Sequence, residues 1–212
     1  KHATHMLQFK PGTDVAMLNA ILHVIVEEGL HDEQFVQART DGFEALREHL
    51  KDYAPEKMAE VCGIDAQTLR TVARTYANSN ASIVYWGMGI SQHTHGTDNA
   101  RCLIDLALIT GQVGRPGTGL HPLRGQNNVQ GASDAGLIPM VLPDYQSVEA
   151  PEIRAKFEEF WKADLDPQKG LTVVEIMDAV HEGVIRGMYV MGENPAMSDP
   201  DAQHAREGLA KL

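Results

Sequence analysis

A change of period near residue 81 constrains the fold of this chain more than any other feature of its sequence. Residues 81–86, Ala-Ser-Ile-Val-Tyr-Trp, form a short β-branched and aromatic run between turn residues, which predicts a buried strand. A glycine-bearing loop at residues 87–97 follows, and residues 98–110 then place apolar side chains at helical spacing until Gly111. Strand, loop and helix in this order form half of a parallel α/β unit.

Helices are predicted before this unit, mostly from turn and capping residues. Residues 11–14, Pro-Gly-Thr-Asp, predict a turn and a helix cap, and residues 15–28 are apolar on almost every face. This segment predicts a core helix that Gly29 ends. Shorter helices are predicted after Asp32, over residues 40–50, from Pro55 to Gly63 and after Asp65.

The second half of the chain predicts another strand, loop and helix. Residues 151–161 predict a helix with proline at its first turn, and Thr172 with Glu175 forms a capping box that starts the next helix. Residues 188–191, Met-Tyr-Val-Met, predict a strand that ends in Gly-Glu-Asn-Pro. Asp199 and the proline after it predict the cap of the final helix. Both halves indicate the α/β class.

Composition argues against several classes of function. The 212 residues carry 18 basic and 29 acidic side chains, a net charge of −11, and the basic residues are scattered, which argues against a nucleic-acid partner. The longest apolar stretch, residues 15–26, contains Asn19 and His23 and is too short to cross a bilayer. Cys62 and Cys102 are the only cysteines, which predicts two reduced, buried thiols and no iron–sulfur cluster ligated by this chain.

Residues 87–96, Gly-Met-Gly-Ile-Ser-Gln-His-Thr-His-Gly, follow the predicted strand where α/β proteins bind phosphates. Their GxG is a weak dinucleotide signal, since Gln92 stands where a third glycine is expected. His93 and His95 form an HxH pair without an acidic or cysteine partner at recognisable spacing. A metal site and a pair of hydrogen-bonded loop histidines both stay open, and the loop histidines are favoured.

Arg124 lies in a glycine- and asparagine-rich stretch, residues 111–136, whose weak periodicity predicts a long, ordered, functional loop. No carboxylate follows it before Asp134. A guanidinium without a nearby acid suits a small carboxylate substrate or a cofactor phosphate, because it forms two parallel hydrogen bonds. A surface arginine is the alternative that these residues leave open.

Three stretches of the chain resemble one protein family. The run from Tyr85 to Gly136, with LRGQNNVQG at its most specific point, is similar to the matching segment of molybdopterin-dependent formate dehydrogenases, members of the dimethyl sulfoxide reductase superfamily. GENPAMSDPDAQH, at residues 192–204, resembles their next cofactor-binding element, and residues 1–80 are similar as well. The resemblance implies Rossmann-like three-layer units with a parallel sheet and many helices, in parts of two domains at residues 1–126 and 127–212.

The resemblance also implies roles for particular residues. Arg124 matches the arginine that holds the carboxylate of formate beside the metal, and Gln126 is its neighbour on the pterin side. The remaining matches are to cofactor contacts: Met88 and Gln92 in the cofactor loop, Gly192, Glu193 and Asn194 at the guanine dinucleotide, and Asp199 as a guanine or ribose partner.

The cofactor implied by the family is bis-molybdopterin guanine dinucleotide with molybdenum or tungsten, and the whole subunit would carry a 4Fe-4S cluster. The family's metal ligand, cysteine or selenocysteine followed by histidine, has no match here, because Cys62 precedes Gly63 and Cys102 precedes Leu103. The chain opens at Lys1 without an initiator methionine. We therefore expect an internal fragment that supplies no metal ligand and is inactive alone.

The implied partners are formate, the remainder of the catalytic subunit, and electron-transfer subunits that carry iron–sulfur clusters or flavin. The sequence most resembles the soluble, NAD-linked enzymes of the family, which favours the cytoplasm, although periplasmic relatives exist. The alternatives are another molybdopterin oxidoreductase such as a nitrate reductase, a related complex I subunit without metal, and a non-catalytic nucleotide-binding α/β module. The Arg-Gly-Gln-Asn-Asn run at Arg124 favours formate.

Overall fold

Residues 2–212 are described by a computed structural model of the chain. They divide into two units, Lys1–Gly125 and Gln126–Leu212. Helices dominate both units, and the only parallel strands among the described residues belong to the first. The α/β class with a parallel sheet is thereby confirmed. The assignment of residues 1–126 and 127–212 to two domains of a larger protein stays a prediction.

The first unit follows the predicted order of helices closely. Asp32 and Asp65 cap their helices by accepting hydrogen bonds from the backbone N–H groups of Phe35 and Thr68, each at 2.9 Å. Gly63, at φ +79°, ends the fourth helix in the left-handed conformation. The elements of this unit are α1 Asp14–Glu27, α2 Glu33–Arg39, α3 Phe43–Leu50, α4 Pro55–Cys62, α5 Ala66–Ala77, β1 Ile83–Trp86, α6 Met88–Ser91, α7 Gly96–Ile109 and β2 Gly119–Pro122.

Helix α1 is the centre of the core, as its apolar faces predicted. Its side chains Leu22, Val24 and Ile25 are fully buried, and α4, α5 and α7 pack around it. Full burial of an aliphatic side chain of this size contributes about 1.5–3 kcal/mol relative to exposure. The start of α1 differs from the prediction, because Thr13 is the N-cap residue and Asp14 is the first helical residue.

The predicted parallel unit is confirmed, and it contains a strand that the sequence did not predict. The prediction that β1 is buried is wrong, since Ile83 is 40% and Tyr85 is 60% exposed among the described residues. β1 pairs in parallel with β2 in a register that runs from Ile83 opposite Gly119 to Trp86 opposite Pro122. The prediction of residues 111–136 as one loop is therefore wrong. Gly-Leu-His-Pro has weak strand propensity, and it is ordered as a strand by pairing with β1 through bonds such as Gly119 N–H to the Ser82 carbonyl at 3.2 Å.

The second unit consists of short helices and a small antiparallel hairpin. Its elements are α8 Val129–Asp134, β3 Val141–Leu142, β4 Gln146–Ser147, α9 Pro151–Trp161, α10 Val173–His181, α11 Pro195–Ser198 and α12 Ala202–Leu209. The capping box at Thr172 and Glu175 is confirmed in both directions. Among residues 2–212, no helix combines the length and hydrophobicity that crossing a bilayer requires.

Two predictions for the second unit are wrong. Residues 188–191 belong to no strand, and the Tyr189 side chain is 88% exposed. A strand requires a partner for its backbone groups, and the described residues offer none to this segment. The final helix is capped by Asp201, whose Oδ1 accepts from the backbone N–H of His204 at 3.0 Å, and not by Asp199.

Candidate functional site

The carboxyl ends of β1 and β2 lie together, because the two strands are parallel and in register. The backbone N–H of Leu123 extends the ladder by donating to the carbonyl of Trp86 at 2.6 Å. The loop after β1 carries Met88, and the loop after β2 carries Arg124. These loops lie close together, since a Cβ added at Gly125 would lie 3.8 Å from Cε of Met88. This edge is where open α/β sheets bind ligands.

The Arg124 guanidinium is exposed at this edge and has no acidic partner. Arg47, Arg70, Arg74 and Arg101 each pair with a carboxylate. Arg124, by contrast, forms neither an ion pair nor a side-chain hydrogen bond with any residue from 2 to 212. Its positive charge and its fork of N–H donors are therefore free to bind a carboxylate or a phosphate.

The loop that carries Met88 and Gln92 is held against the start of α7. Asn99, only 2% exposed, donates from Nδ2 to the carbonyl of Ile90 at 2.9 Å. Gly96 comes so close to the loop that a Cβ there would lie 1.9 Å from the Ser91 carbonyl oxygen. Met88 and Gln92 themselves are exposed. Asn99 and Gly96, which the sequence analysis did not single out, thus position this loop.

The two loop histidines have different surroundings. His93 Nε2 lies 2.8 Å from the carbonyl oxygen of Gly89, which fits the interpretation of a hydrogen-bonded loop histidine. His95 Nδ1 lies 3.7 Å from the carboxylate of Asp98. Within residues 2–212, no three histidine, cysteine, aspartate or glutamate side chains are grouped as metal ligands would be.

A cavity of about 440 Å³ opens beside the same loop and contains a buried carboxylate. Asp14 is 2% exposed, lines this cavity, and forms no side-chain hydrogen bond with any residue from 2 to 212. The N-termini of α1 and α7 both reach the cavity, and neither has a side-chain cap. The other polar residues that line it are His93, Thr94, His95, Asp98 and Asn99. The Asp14 carboxylate faces this cavity, and a carboxylate can accept hydrogen bonds from a ligand that presents N–H groups.

The candidate residues of the second unit cluster at α11. Gly192, at φ +73°, begins a turn, and Glu193 Oε1 accepts from the backbone N–H of Asn194 at 3.0 Å. This bond and the Ser198 hydroxyl lower the pKa of the Glu193 carboxyl. Asp199 ends α11, and its Oδ1 accepts from the backbone N–H of Asp201 at 3.3 Å. Glycine at positive φ and exposed polar groups give a turn that is open to a ligand.

Gln126 is the remaining candidate, at the start of the second unit. Its side chain is exposed, and it forms no side-chain hydrogen bond with residues 2–212. Its proposed role beside the pterin stays a prediction.

Comparison with known proteins defines the class to which this arrangement belongs. The molybdopterin oxidoreductase family matches residues 1–212, and the chain belongs to that family. In sequence it is similar to the F420-dependent formate dehydrogenase subunit alpha of Methanocaldococcus jannaschii, with 46% identity over the whole chain and 31% of that protein. Formate dehydrogenase H of Escherichia coli is 39% identical over 97% of the chain and 29% of that protein.

A solved structure is also similar. Acetylene hydratase from Pelobacter acetylenicus matches with a TM-score of 0.52 and 32% identity over 54% of this chain and 16% of that chain. The chain thus spans about a third of the length of its formate dehydrogenase relatives. The predicted resemblance to formate dehydrogenase catalytic subunits is confirmed by these relatives.

Proposed function

We propose that this chain contributes the formate-binding arginine and part of the cofactor site to the catalytic subunit of a formate dehydrogenase. The observation that carries the proposal is the Arg124 guanidinium, without an acidic partner, at the carboxyl edge of β1 and β2. A one-carbon carboxylate matches the two parallel N–H donors of a guanidinium. The Met88 loop lies beside it, as a cofactor contact requires.

The residues fit bis-molybdopterin guanine dinucleotide with molybdenum or tungsten. Its pterin and guanine rings present N–H groups, which the Asp14 carboxylate at the cavity would accept. Further contacts would come from the side chains already named: Met88 and Gln92 in the first unit, and Gln126, Gly192, Glu193, Asn194 and Asp199 in the second.

When bound, the cofactor supplies the two-electron chemistry that converts formate to carbon dioxide. The part played by this chain is electrostatic. Arg124 binds formate, offsets its negative charge and fixes its orientation, and these effects count most in a site from which water is excluded. Asn99 holds the loop at Met88 and Gln92 in place through the Ile90 carbonyl.

The rest of the proposed enzyme lies outside these residues. We propose a 4Fe-4S cluster, the metal ligand and electron-transfer subunits with iron–sulfur clusters or flavin as its further parts. The sequence favoured NAD as acceptor and the cytoplasm as location, with the periplasm as the alternative. Three of the relatives are named F420-dependent, so a deazaflavin acceptor is an equal proposal.

A different reaction in the same family is the second candidate. The similarity to acetylene hydratase supports it, because that protein has another substrate by name. Formate is favoured because several relatives are named formate dehydrogenases. A neutral substrate such as an alkyne would not need the charge of Arg124.

Substitution of Arg124 in the whole enzyme tests the proposal. We expect Arg124→Ala to lower kcat/KM for formate roughly 100- to 1,000-fold, as loss of a charged anion-binding donor does. Arg124→Lys should recover little, because lysine lacks the two-pronged geometry. Arg39→Ala is the matched control, since Arg39 is also an exposed arginine in the first unit.

The measurement is formate-dependent dye reduction together with the pterin content of each purified variant. Unchanged pterin with lost turnover supports a role at the substrate. Turnover at the wild-type level in either Arg124 variant would refute it, and loss of pterin would assign Arg124 to the cofactor instead.

A further inference from the structure

A buried glutamine joins the segment before β1 to the segment before β2. Gln112, which follows α7, is 2% exposed. Its Oε1 accepts hydrogen bonds from the backbone N–H of Ser82 at 2.9 Å and from Nη2 of Arg115 at 3.0 Å. Its Nε2 donates to the carbonyl of Ser79 at 3.0 Å. A buried amide that is bonded at both its oxygen and its nitrogen holds its partners in one geometry, because breaking a bond leaves a buried polar group unpaired.

The guanidinium of Arg115 reinforces the same junction. Its Nη1 donates to the carbonyl of Asn80 at 2.8 Å, and its Nε donates to the carbonyl of Gly111 at 3.0 Å. Asn80 precedes β1 and Gly111 follows α7, so one planar group binds both sides of the junction. Gln112 and Arg115 are called the amide clamp below.

The amide clamp holds the start of the parallel ladder. Ser82 donates its N–H to Gln112, and its carbonyl accepts from the N–H of Gly119 at 3.2 Å. The ladder itself pairs four residues of β1 with four of β2, and a two-stranded ladder of this length is marginally stable by itself. The strands therefore specify their register weakly, and the amide clamp supplies a further constraint.

The register determines where the candidate residues at the other end of the strands lie. Met88 is two residues beyond β1, and Arg124 is two residues beyond β2. A strand rises about 3.3 Å per residue, so a shift of one residue would displace Arg124 by that distance relative to Met88. A misplacement of about 1 Å is enough to lower activity roughly 100-fold.

We propose that Gln112 is a positioning residue that fixes the register of β1 and β2 and thereby the place of Arg124 beside the loop at Met88. This inference rests on the proposed function, since it takes Arg124 as the formate-binding residue. Gln112 lies at the amino ends of the strands and Arg124 at their carboxyl ends. Its effect on formate is therefore transmitted through the strands.

Gln112→Met in the whole enzyme tests the proposal, because methionine keeps the length of the side chain and removes its amide hydrogen bonds. We expect KM for formate to rise roughly 10- to 100-fold with unchanged pterin content, because Arg124 is displaced and not lost. Gln112→Glu should recover part of the loss, because a carboxylate still accepts from Ser82 and Arg115. Arg115→Met, at an exposed residue, is the second variant and should raise KM less.

Thr110→Val is the matched control, at the end of the same helix. It removes the buried hydrogen bond from Oγ1 to the carbonyl of Leu106, 2.7 Å long, and leaves the amide clamp intact. Its KM for formate should equal that of the wild type. A wild-type KM in Gln112→Met, or an equal increase in Thr110→Val, overturns the proposal.

A double-mutant cycle separates positioning from general destabilisation. If Gln112 acts through Arg124, Gln112→Met should hardly change kcat/KM for formate in an enzyme that already carries Arg124→Ala. Additive losses would show that Gln112 acts by another route, against the proposal.

Hydrogen exchange of the same enzymes follows the strands without formate. We expect the backbone amides of Ser82, Gly119 and Leu123 to lose protection in Gln112→Met and to keep it in Thr110→Val. Unchanged protection in Gln112→Met would overturn the role of the amide clamp. Failure of the proposed function would instead appear as full formate turnover in Arg124→Ala, with the exchange result unaffected, so the two failures are distinguishable.

Discussion

The Cys102 thiol is buried against α1, with Sγ 3.4 Å from Oδ1 of Asn19. Burial raises its pKa to about 11 from 9.0, and the charges of Asp105 and Asp98 add to the increase. The thiolate is the reactive form of cysteine. In the folded chain at pH 8, we expect Cys102 to react with a disulfide reagent at least about 100-fold more slowly than in the unfolded chain, on thiolate fraction alone.

The measurement is thiol titration of Cys62→Ala, which leaves Cys102 as the single thiol, in buffer and in urea. The prediction of two reduced, buried thiols from the sequence is confirmed. Rapid reaction of Cys102 in buffer alone would contradict the burial and the raised pKa.

Single residues differ in how far sequence alone could predict their roles. The lack of an acidic partner at Arg124 was predictable, because the absence of nearby acids along the chain persists in the folded structure, whereas its role stays a proposal. Asp14 was predicted as part of a helix cap, a local role. Its burial without a partner depends on the loop at His93 and His95, some 80 residues away in sequence, and no local pattern encodes that proximity.

The junction between the loop that carries Met88 and Gln92 and helix α7 depends on one glycine. An alanine at Gly96 would place its Cβ 1.9 Å from the Ser91 carbonyl oxygen and 2.6 Å from the carbonyl carbon, so the backbone must move. We expect Gly96→Ala to lower the free energy of unfolding of the first unit by about 1–3 kcal/mol, the usual cost of overpacking. Urea titration followed by circular dichroism measures the change.

Gly89→Ala is the matched control, because a Cβ at Gly89 meets nothing within 4 Å and the residue lies in the same loop. It should be neutral or slightly stabilising, since alanine favours helix over glycine. Equal urea midpoints for Gly96→Ala and the wild type would show that the loop can move away from an added Cβ without loss of stability. The close approach at Gly96 would then not be needed for the junction.

Helices were predictable here and strands were less so, for a physical reason. A helix satisfies its backbone within one segment, so Asp65 and the capping box at Thr172 reveal its start locally. A strand depends on a partner. Residues 119–122 gain one in β1 despite weak propensity, whereas residues 188–191 have strong propensity and no partner among the described residues.

The apolar core is divided unequally between the two units. Of the 24 buried apolar side chains among the described residues, 19 belong to Lys1–Gly125 and five to Gln126–Leu212. Helix α9 has no buried residue, and Phe160 is 79% exposed. Apolar burial is the main source of folding stability. The second unit should therefore be the less stable of the two in the isolated chain.

The two tryptophans allow each unit to be followed separately. Trp86 packs against the core of the first unit, and Trp161, 45% exposed, lies 5.0 Å from the ring of Phe157 in the second. In Trp161→Phe, Trp86 is the single remaining tryptophan and its fluorescence reports on the first unit, which is unaltered. In Trp86→Phe, Trp161 is the single remaining tryptophan and reports on the second unit, which is unaltered. In urea titrations, we expect the Trp161 signal to change at a midpoint about 1 M or more below that of Trp86. Coincident midpoints would mean that the units unfold as one cooperative structure, and the unequal core would then not determine the order of unfolding.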